Sequence, residues 1–319
     1  MPASLQRRRR GRGFTLIETL VVIAVVGVMA GLLAVAVQAA RESARRVSCV
    51  NNLHQIGIAA QAYAAAHGCL PMGNSGQGYS PHVAILPYLS QTPLYSSLNF
   101  SLPAYEYFDS MLIGANHTAS STTLITFLCP SDVAPRRGGW TNYAGNLGGG
   151  VQKYGYNGAL VLPIDRPLSL SDFRDGASHT AFFSEWVRGS GDVFDREPRR
   201  VIFQVPTPLV APSQLDEFVT LCRSIDPGFA VVGAAEKGRP WVHGELGVTL
   251  YNHVLGINER SCFNGGLVQQ SGVSASSRHP GGAHVLFVDG RVRFVADTLA
   301  QEVWRALASR SGGEVLSAF

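Results

Sequence analysis

One carboxylate, Glu18, stands in an apolar run that extends from Phe14 to Ala40 without another ionisable side chain. An acid within an apolar helix costs about 2.5–3.5 kcal/mol on insertion scales, so it requires a cationic partner. The other residues with obvious chemical capacity are His279, His284 and Asp289, all metal-ligand types within one short segment. Asp289 lies five residues beyond His284 on a β-prone run, roughly 16 Å when extended, too far for one metal to hold both. His279 is expected to make a structural hydrogen bond, and no metal is assigned. Cys49, Cys69, Cys129, Cys222 and Cys262 form no CxxC pair, which argues against a zinc ribbon. All five follow the apolar run and would face an oxidising space. The expected bridge is Cys222–Cys262, in the loop-rich later region, and the odd count leaves at least one thiol free. No GxSxG elbow, P-loop or strand-GxGxxG-helix is present, so no nucleophile is placed beside a base. Neither a catalytic residue nor a cofactor is assigned.

The elements that must position these residues begin with a cationic tail. Residues 1–13 carry Arg7, Arg8, Arg9, Arg10 and Arg12 and no acid, a cluster that stays on the cytoplasmic side of a bilayer. At about 1.5 Å per residue, a helix over 14–40 spans the roughly 30 Å hydrocarbon layer. Arg41, Arg45 and Arg46 mark its exit, and no proline follows until Pro71. Cys49, Leu53, Ile56, Ala60 and Tyr63 recur at spacings of four and three, which gives the continuation over 41–67 one apolar face. That face is expected to dock on a globular domain.

Without the five leader arginines the 26 cationic side chains fall to 21 against 22 acidic ones. The remaining chain is therefore a poor candidate for general nucleic-acid binding. Thirty-five glycines and 17 prolines suit a turn-rich β domain over 68–319. His82 to Leu98 reads as short helices broken by Pro87 and Pro93, and Thr122 to Cys129 reads as a strand. Val285–Val288 and Arg291–Val295 read as strands joined by Asp289-Gly290, a two-residue type I′ turn signal. Leu299 to Ala308 reads as a closing helix with Trp304 and Leu307 inward.

Gly13-Phe14-Thr15-Leu16-Ile17-Glu18, with the apolar run behind it, resembles the type IV prepilin and pseudopilin family. The resemblance implies cleavage between Gly13 and Phe14 by prepilin peptidase, N-methylation of Phe14, and an assembly role for Glu18 against the amine of a neighbouring subunit. Cys49-Val50-Asn51-Asn52-Leu53-His54-Gln55-Ile56-Gly57, Cys129-Pro130-Ser131-Asp132, Asn142-Tyr143 and Asp175-Gly176-Ala177-Ser178-His179-Thr180 resemble the DUF1559 family. So do Trp241, Asn252-His253-Val254 and Ser261-Cys262, and His279 with Asp289-Gly290 matches its H-x9-DG signature. Residues 189–239 match least and are treated as an insertion whose role is open.

The fold expected is α+β, a long pilin-like membrane-spanning helix packed on a β-rich head with a hairpin near 279–295. The expected function is a structural subunit of a type II secretion pseudopilus or type IV pilus-like fibre, in the bacterial inner membrane with its ectodomain in the periplasm or cell envelope. Its expected partners are prepilin peptidase and other pilin-like subunits. The alternative is a membrane-tethered binding module that displays its head to a secreted cargo or envelope ligand. An anchored hydrolase is disfavoured by the missing catalytic motifs.

Overall fold

The structure is a computed structural model that describes residues 15–104, 116–132, 138–150, 156–205, 215–264 and 271–314. A single helix, α1, runs from Leu16–His67, and the boundary between two compact units falls inside it, between Arg45 and Arg46.

In the first unit the helix is apolar on every side. One 18-residue stretch has a mean hydropathy of 3.0, long and apolar enough to cross a membrane, and none of it is buried within the chain. A helix apolar all round needs lipid or other helices as its surroundings. The ion pair of Glu42 with Arg45, 2.7 Å, lies one turn apart near the end of this unit.

The second unit holds the remainder of α1 and two sheets. Strands β1 (Tyr143–Asn146), β2 (Ala181–Glu185), β5 (Leu250–Tyr251), β8 (Gly282–Phe287) and β9 (Val292–Ala296) form the larger, in the order β5-β1-β2-β8-β9. All its pairings are antiparallel except β1 with β5. Every residue of β2 and β8 is buried, as for strands covered on both faces. The face of α1 that buries Cys49, Leu53, Ile56, Gly57, Ala59 and Ala60 supplies part of that cover. Gly57 lets the helix lie close on Leu286: a Cβ there would stand 2.9 Å from Leu286 Cδ1, and the leucine side chain would have to shift. Arg46 closes the near end of the contact, its guanidinium 4.1 Å from the Phe294 ring centre on β9.

Strands β3 (Ile202–Gln204), β4 (Val232–Ala234), β6 (Ser261–Phe263) and β7 (Ser271–Gly272) make the second sheet, in the order β4-β3-β6-β7. With helix α5 (Leu215–Ser224) they enclose a separate core that includes Val201, Phe203, Phe218, Val219, Val254 and Leu255. The stretch 189–239 therefore contributes two strands and a helix to a core of its own.

The structure differs from the sequence expectations in three places. Thr122 to Cys129 forms no strand but a single 3-10 turn over Ile125–Phe127. Its backbone is engaged elsewhere: Asn142 N donates to Phe127 O (2.7 Å), Asn52 Nδ2 to Leu128 O (2.8 Å) and Trp241 Nε1 to Thr122 O (2.9 Å). A segment whose carbonyls are taken in this way has no ladder to join.

The β8–β9 connection has three residues rather than two. Phe287 N donates to Arg291 O (2.8 Å), Gly290 N donates to Phe287 O (2.9 Å), and of Asp289 and Gly290 only the glycine has positive φ, +91°. This is a type I turn followed by a bulge glycine, not a type I′ turn. Residues 82–98 divide into α2 (Pro81–Ile85), a 3-10 turn over Leu86–Leu89 and α3 (Thr92–Ser96), with prolines in first-turn positions. Between α3 and the 3-10 turn over Ile125–Phe127 lies the short α4 (His117–Ser120). The closing helix is shorter than expected, α6 (Gln301–Ala306); Trp304 and Leu307 are buried, and Trp304 stacks on His253 at 3.7 Å.

Candidate functional site

Gly13 and Phe14 lie outside the described residues. At the start of α1, Thr15 and Glu18 cap the helix reciprocally. Thr15 N and Thr15 Oγ1 each donate to Glu18 Oε2 at 2.8 Å, and Glu18 N donates to Thr15 Oγ1 at 3.3 Å. This is a T-x-x-E capping box, which satisfies orphan amides of the first turn. The sequence reading gave Glu18 a partner on another subunit and missed this local role, although Thr15-Leu16-Ile17-Glu18 carries its spacing. The side chain is exposed on the isolated chain, as are Leu16 (84%) and Ile17 (71%) beside it.

A second assembly of chemically capable residues lies inside the head. The β2–β8 pairing aligns Ser184 with Val285, so the last residue of β2, Glu185, meets the backbone of His284. His284 N donates to Glu185 Oε2 at 2.9 Å, and His284 Nδ1 lies 3.1 Å from the same oxygen. Arg46 Nε, from α1, donates to His284 Nε2 at 3.2 Å. That contact fixes the tautomer: Nε2 accepts, and Nδ1 carries the proton that faces the carboxylate. His279 approaches the other oxygen, Nε2 to Oε1, at 3.5 Å, and stands 3.8 Å from Cys129 Sγ. Burial alone would raise the Glu185 carboxyl, but its hydrogen bonds and charge interactions with His279 and His284 prevail and hold it at about 2.

Cys129 is bonded to Cys49 of α1, with Cα atoms 4.9 Å apart. The bridge therefore fastens helix to head beside the Glu185 cluster. Tyr143, paired with Glu185 across β1 and β2, donates its hydroxyl to Cys49 O at 3.2 Å. Cys222 and Cys262 form a second bridge, joining α5 to β6 with Cα atoms 5.9 Å apart, and Cys69 is a free thiol. The sequence reading did not pair Cys49 with Cys129, because 80 positions separate them.

The structure thus divides the three residues first grouped for their chemistry. His279 and His284 converge on Glu185, whereas Asp289 belongs to the hairpin turn, its N–H donating to Ala177 O (3.1 Å) and its carboxylate paired with Arg291 at 2.6 Å. Gly290 supplies the positive φ that the turn requires. Glu185 went unremarked as a site residue; its signal is a lone acid within the β-prone run from Ala181 to Val187.

A further buried ionic group joins the insertion to the larger sheet. Asp132 receives Arg188, Arg200 and Arg278, each at 3.3 Å, and Glu197 receives Arg278 at 2.5 Å and Arg200 at 2.8 Å. Asn142 Nδ2 adds a hydrogen bond to Asp132 at 2.8 Å. Lys237 is fully buried, its ammonium over the Trp186 ring, and burial pushes its pKa down to about 7. Burial also lowers His82 to about 4 and His253 to about 3. As neutral rings they hold structure: His82 Nε2 lies 2.8 Å from Tyr143 O, and His253 Nδ1 2.7 Å from Trp304 O. Ser178 Oγ lies 3.1 Å from His179 Nδ1, but this is an exposed contact between chain neighbours. An open cleft lined by Asp165, Arg166, Asp172, Arg174 and Arg310 lies on the surface of the head.

Residues 8–34 match the prokaryotic N-terminal methylation motif. Residues 38–302 match a family described as protein of unknown function (DUF1559). No curated protein and no solved structure matches the chain. The two matches meet at α1: the motif ends within the apolar run, and the family region opens at its end and continues through both sheets and the Glu185 cluster to the first two residues of α6. The chain is thus a member of the DUF1559 family, with a prokaryotic N-terminal methylation motif at its head.

Proposed function

We propose that this chain is a pilin-like structural subunit of a type II secretion pseudopilus or type IV pilus-like fibre. It inserts in the inner membrane as a prepilin and is cut between Gly13 and Phe14 by prepilin peptidase. Phe14 is then N-methylated, and the apolar part of α1 packs with the helices of other pilin-like subunits. The head remains on the outer side, in the periplasm or cell envelope, and acts as a structural rather than catalytic domain. The observation that carries this reading is Glu18 within the methylation motif: the Thr15 contacts serve the helix start, but they supply no cation, and an acid at the edge of an apolar span calls for one. An amine at Phe14 of the next subunit would pair with the carboxylate and set the axial register. His279, Asp289 and Gly290 then serve the head's architecture, the histidine beside Glu185 and the Asp-Gly pair in the turn.

The test is the mass of the mature N-terminal peptide from membranes of the native host. An N-methylated Phe14 is expected, and a chain that still begins at Met1 would overturn the proposal. Glu18→Ala should leave the head folded and abolish assembly. A second reading, a membrane-tethered extracytoplasmic binding module, draws on the arginine-lined cleft of the head. In that case Glu18→Ala would leave binding of a secreted cargo or envelope ligand intact.

A further inference from the structure

Four ligand-type atoms meet at the junction of α1 and the larger sheet: Cys49 Sγ, Cys129 Sγ, Glu185 Oε1 or Oε2, and His279 Nε2, all within 4.8 Å of one another. The residues are 0%, 6%, 2% and 1% exposed. We propose that the dithiol form of this chain binds one divalent cation of the zinc class at these four residues, and that formation of the Cys49–Cys129 disulfide expels it.

The geometry favours a tetrahedral site. Bonds of about 2.3 Å to sulfur and about 2.0–2.2 Å to nitrogen and oxygen give tetrahedral edges of roughly 3.3–3.8 Å. His279 Nε2 already stands 3.8 Å from Cys129 Sγ and 3.5 Å from Glu185 Oε1. Those two edges are in place with the disulfide closed, and metal entry requires that the two sulfurs part from bonding contact to about 3.8 Å while the other ligand pairs, all within 4.8 Å, adjust to the same range.

A separate observation points to the same occupant. Among the described residues Glu185 Oε1 has no polar partner nearer than His279 Nε2, a long contact of 3.5 Å, whereas Oε2 receives both the backbone and the ring of His284. A buried carboxylate oxygen left in that state needs a reason, and a cation between it, His279 and the two sulfurs would supply one. His284, braced by Arg46, is then the outer partner that orients the ligating carboxylate. The other disulfide offers no such setting: Cys222 and Cys262 lie among Val201, Phe203, Phe218 and Val254.

The exchange balances. Two thiols bind the cation as thiolates and release two protons. A disulfide-class oxidant then takes two electrons from the thiolates and two protons from solvent, leaving as two thiols; the Cys49–Cys129 bond forms and the cation departs. Either state ties α1 to the head, so the helix is held before oxidation as well as after it.

The experiment uses the full chain in detergent, reduced with a phosphine under argon and titrated with Co2+, then Zn2+. One equivalent of Co2+ should give thiolate charge-transfer and tetrahedral d–d bands, discharged by Zn2+, and the oxidised chain should give none. Cys222→Ala with Cys262→Ala should preserve the signal. Glu185→Gln and His279→Asn should each weaken binding at least tenfold, and His284→Asn about 10–100-fold, the usual effect of losing an orienting partner. Equal binding by the oxidised chain, or undiminished bands in the Glu185→Gln, His279→Asn double variant, would overturn the proposal. So would a reduced chain that keeps its native circular dichroism and binds nothing. If the variants fail to fold, alkylation of the unaltered reduced chain decides. Zn2+ should slow modification of Cys49 and Cys129 but not Cys69, reversibly with a chelator, and unchanged rates at all three would refute the site.

Discussion

Replacing Glu185 by glutamine tests the central claim about the head, that a buried carboxylate is held ionised by two histidines. Glutamine approximates the protonated acid in shape and charge. The carboxyl sits at about 2 in the folded chain against an ordinary value of 4.5, a gap equivalent to about 3 kcal/mol. The sign follows from proton binding. Because the folded value is the lower one, the unfolded chain takes up the proton first as pH falls, so the stabilisation is complete above about 4.5 and is lost on the way down to about 2. Urea unfolding of the oxidised chain in detergent, followed by tryptophan fluorescence, reads this directly, since Trp186 is the next residue. Glu185→Gln should be less stable by about 3 kcal/mol at pH 7, and the difference should close as the pH approaches 2. A difference that stays constant between pH 7 and pH 3, or none at pH 7, would refute the ionised carboxylate and with it the tautomer assigned to His284.

Three further outcomes are expected. Lys237 has a folded value of about 7, below its free value of 10.5, so the unfolded chain binds more protons between them and stability should climb across that window; Lys237→Met should flatten the climb in denaturation midpoints taken from pH 7 to 10. Removing the Cys222–Cys262 bridge, which spans 40 positions, should cost about 4 kcal/mol by the loop-entropy relation, and an unchanged urea midpoint would contradict it. Gly57→Val should cost about 1–3 kcal/mol by forcing α1 away from Leu286, whereas Gly27→Val, with no atom within 4 Å in the isolated chain, should leave head unfolding untouched.

The parts of this fold legible in the sequence are those encoded by local spacing. The stripe through Cys49, Leu53, Ile56 and Ala60 is a helical period, and it is buried against the sheet. Asp289-Gly290 announced a hairpin, but whether the loop has two residues or three depends on which carbonyl pairs with Phe287 N, a choice made by register. Thr122 to Cys129 had strand-like residues yet spends its carbonyls on Asn52, Asn142 and Trp241, none of them near in sequence to the segment they bind, apart from Asn142. The Glu185 cluster was invisible for the same reason. Its members come from α1, from the loop before β1, from β2, from the approach to β8 and from β8 itself, and only the β2–β8 pairing brings the acid to the histidines. Local period reports which face of an element is apolar; it carries no information on which distant element that face will meet.

The Cys49–Cys129 bridge has a mechanical meaning. Tension arriving along α1 meets the Arg46 contacts first, and three residues later a covalent bond carries it into the head. A helix held by side-chain packing alone would peel away turn by turn from that end; here the peeling front stops at Cys49. The load passes instead to Cys129, whose N–H is held by Asn142 at 3.0 Å, and from Asn142 to Asp132 with its three arginines. The packed face from Leu53 to Ala60 and the β8–β9 hairpin lie behind that route, shielded from the pull.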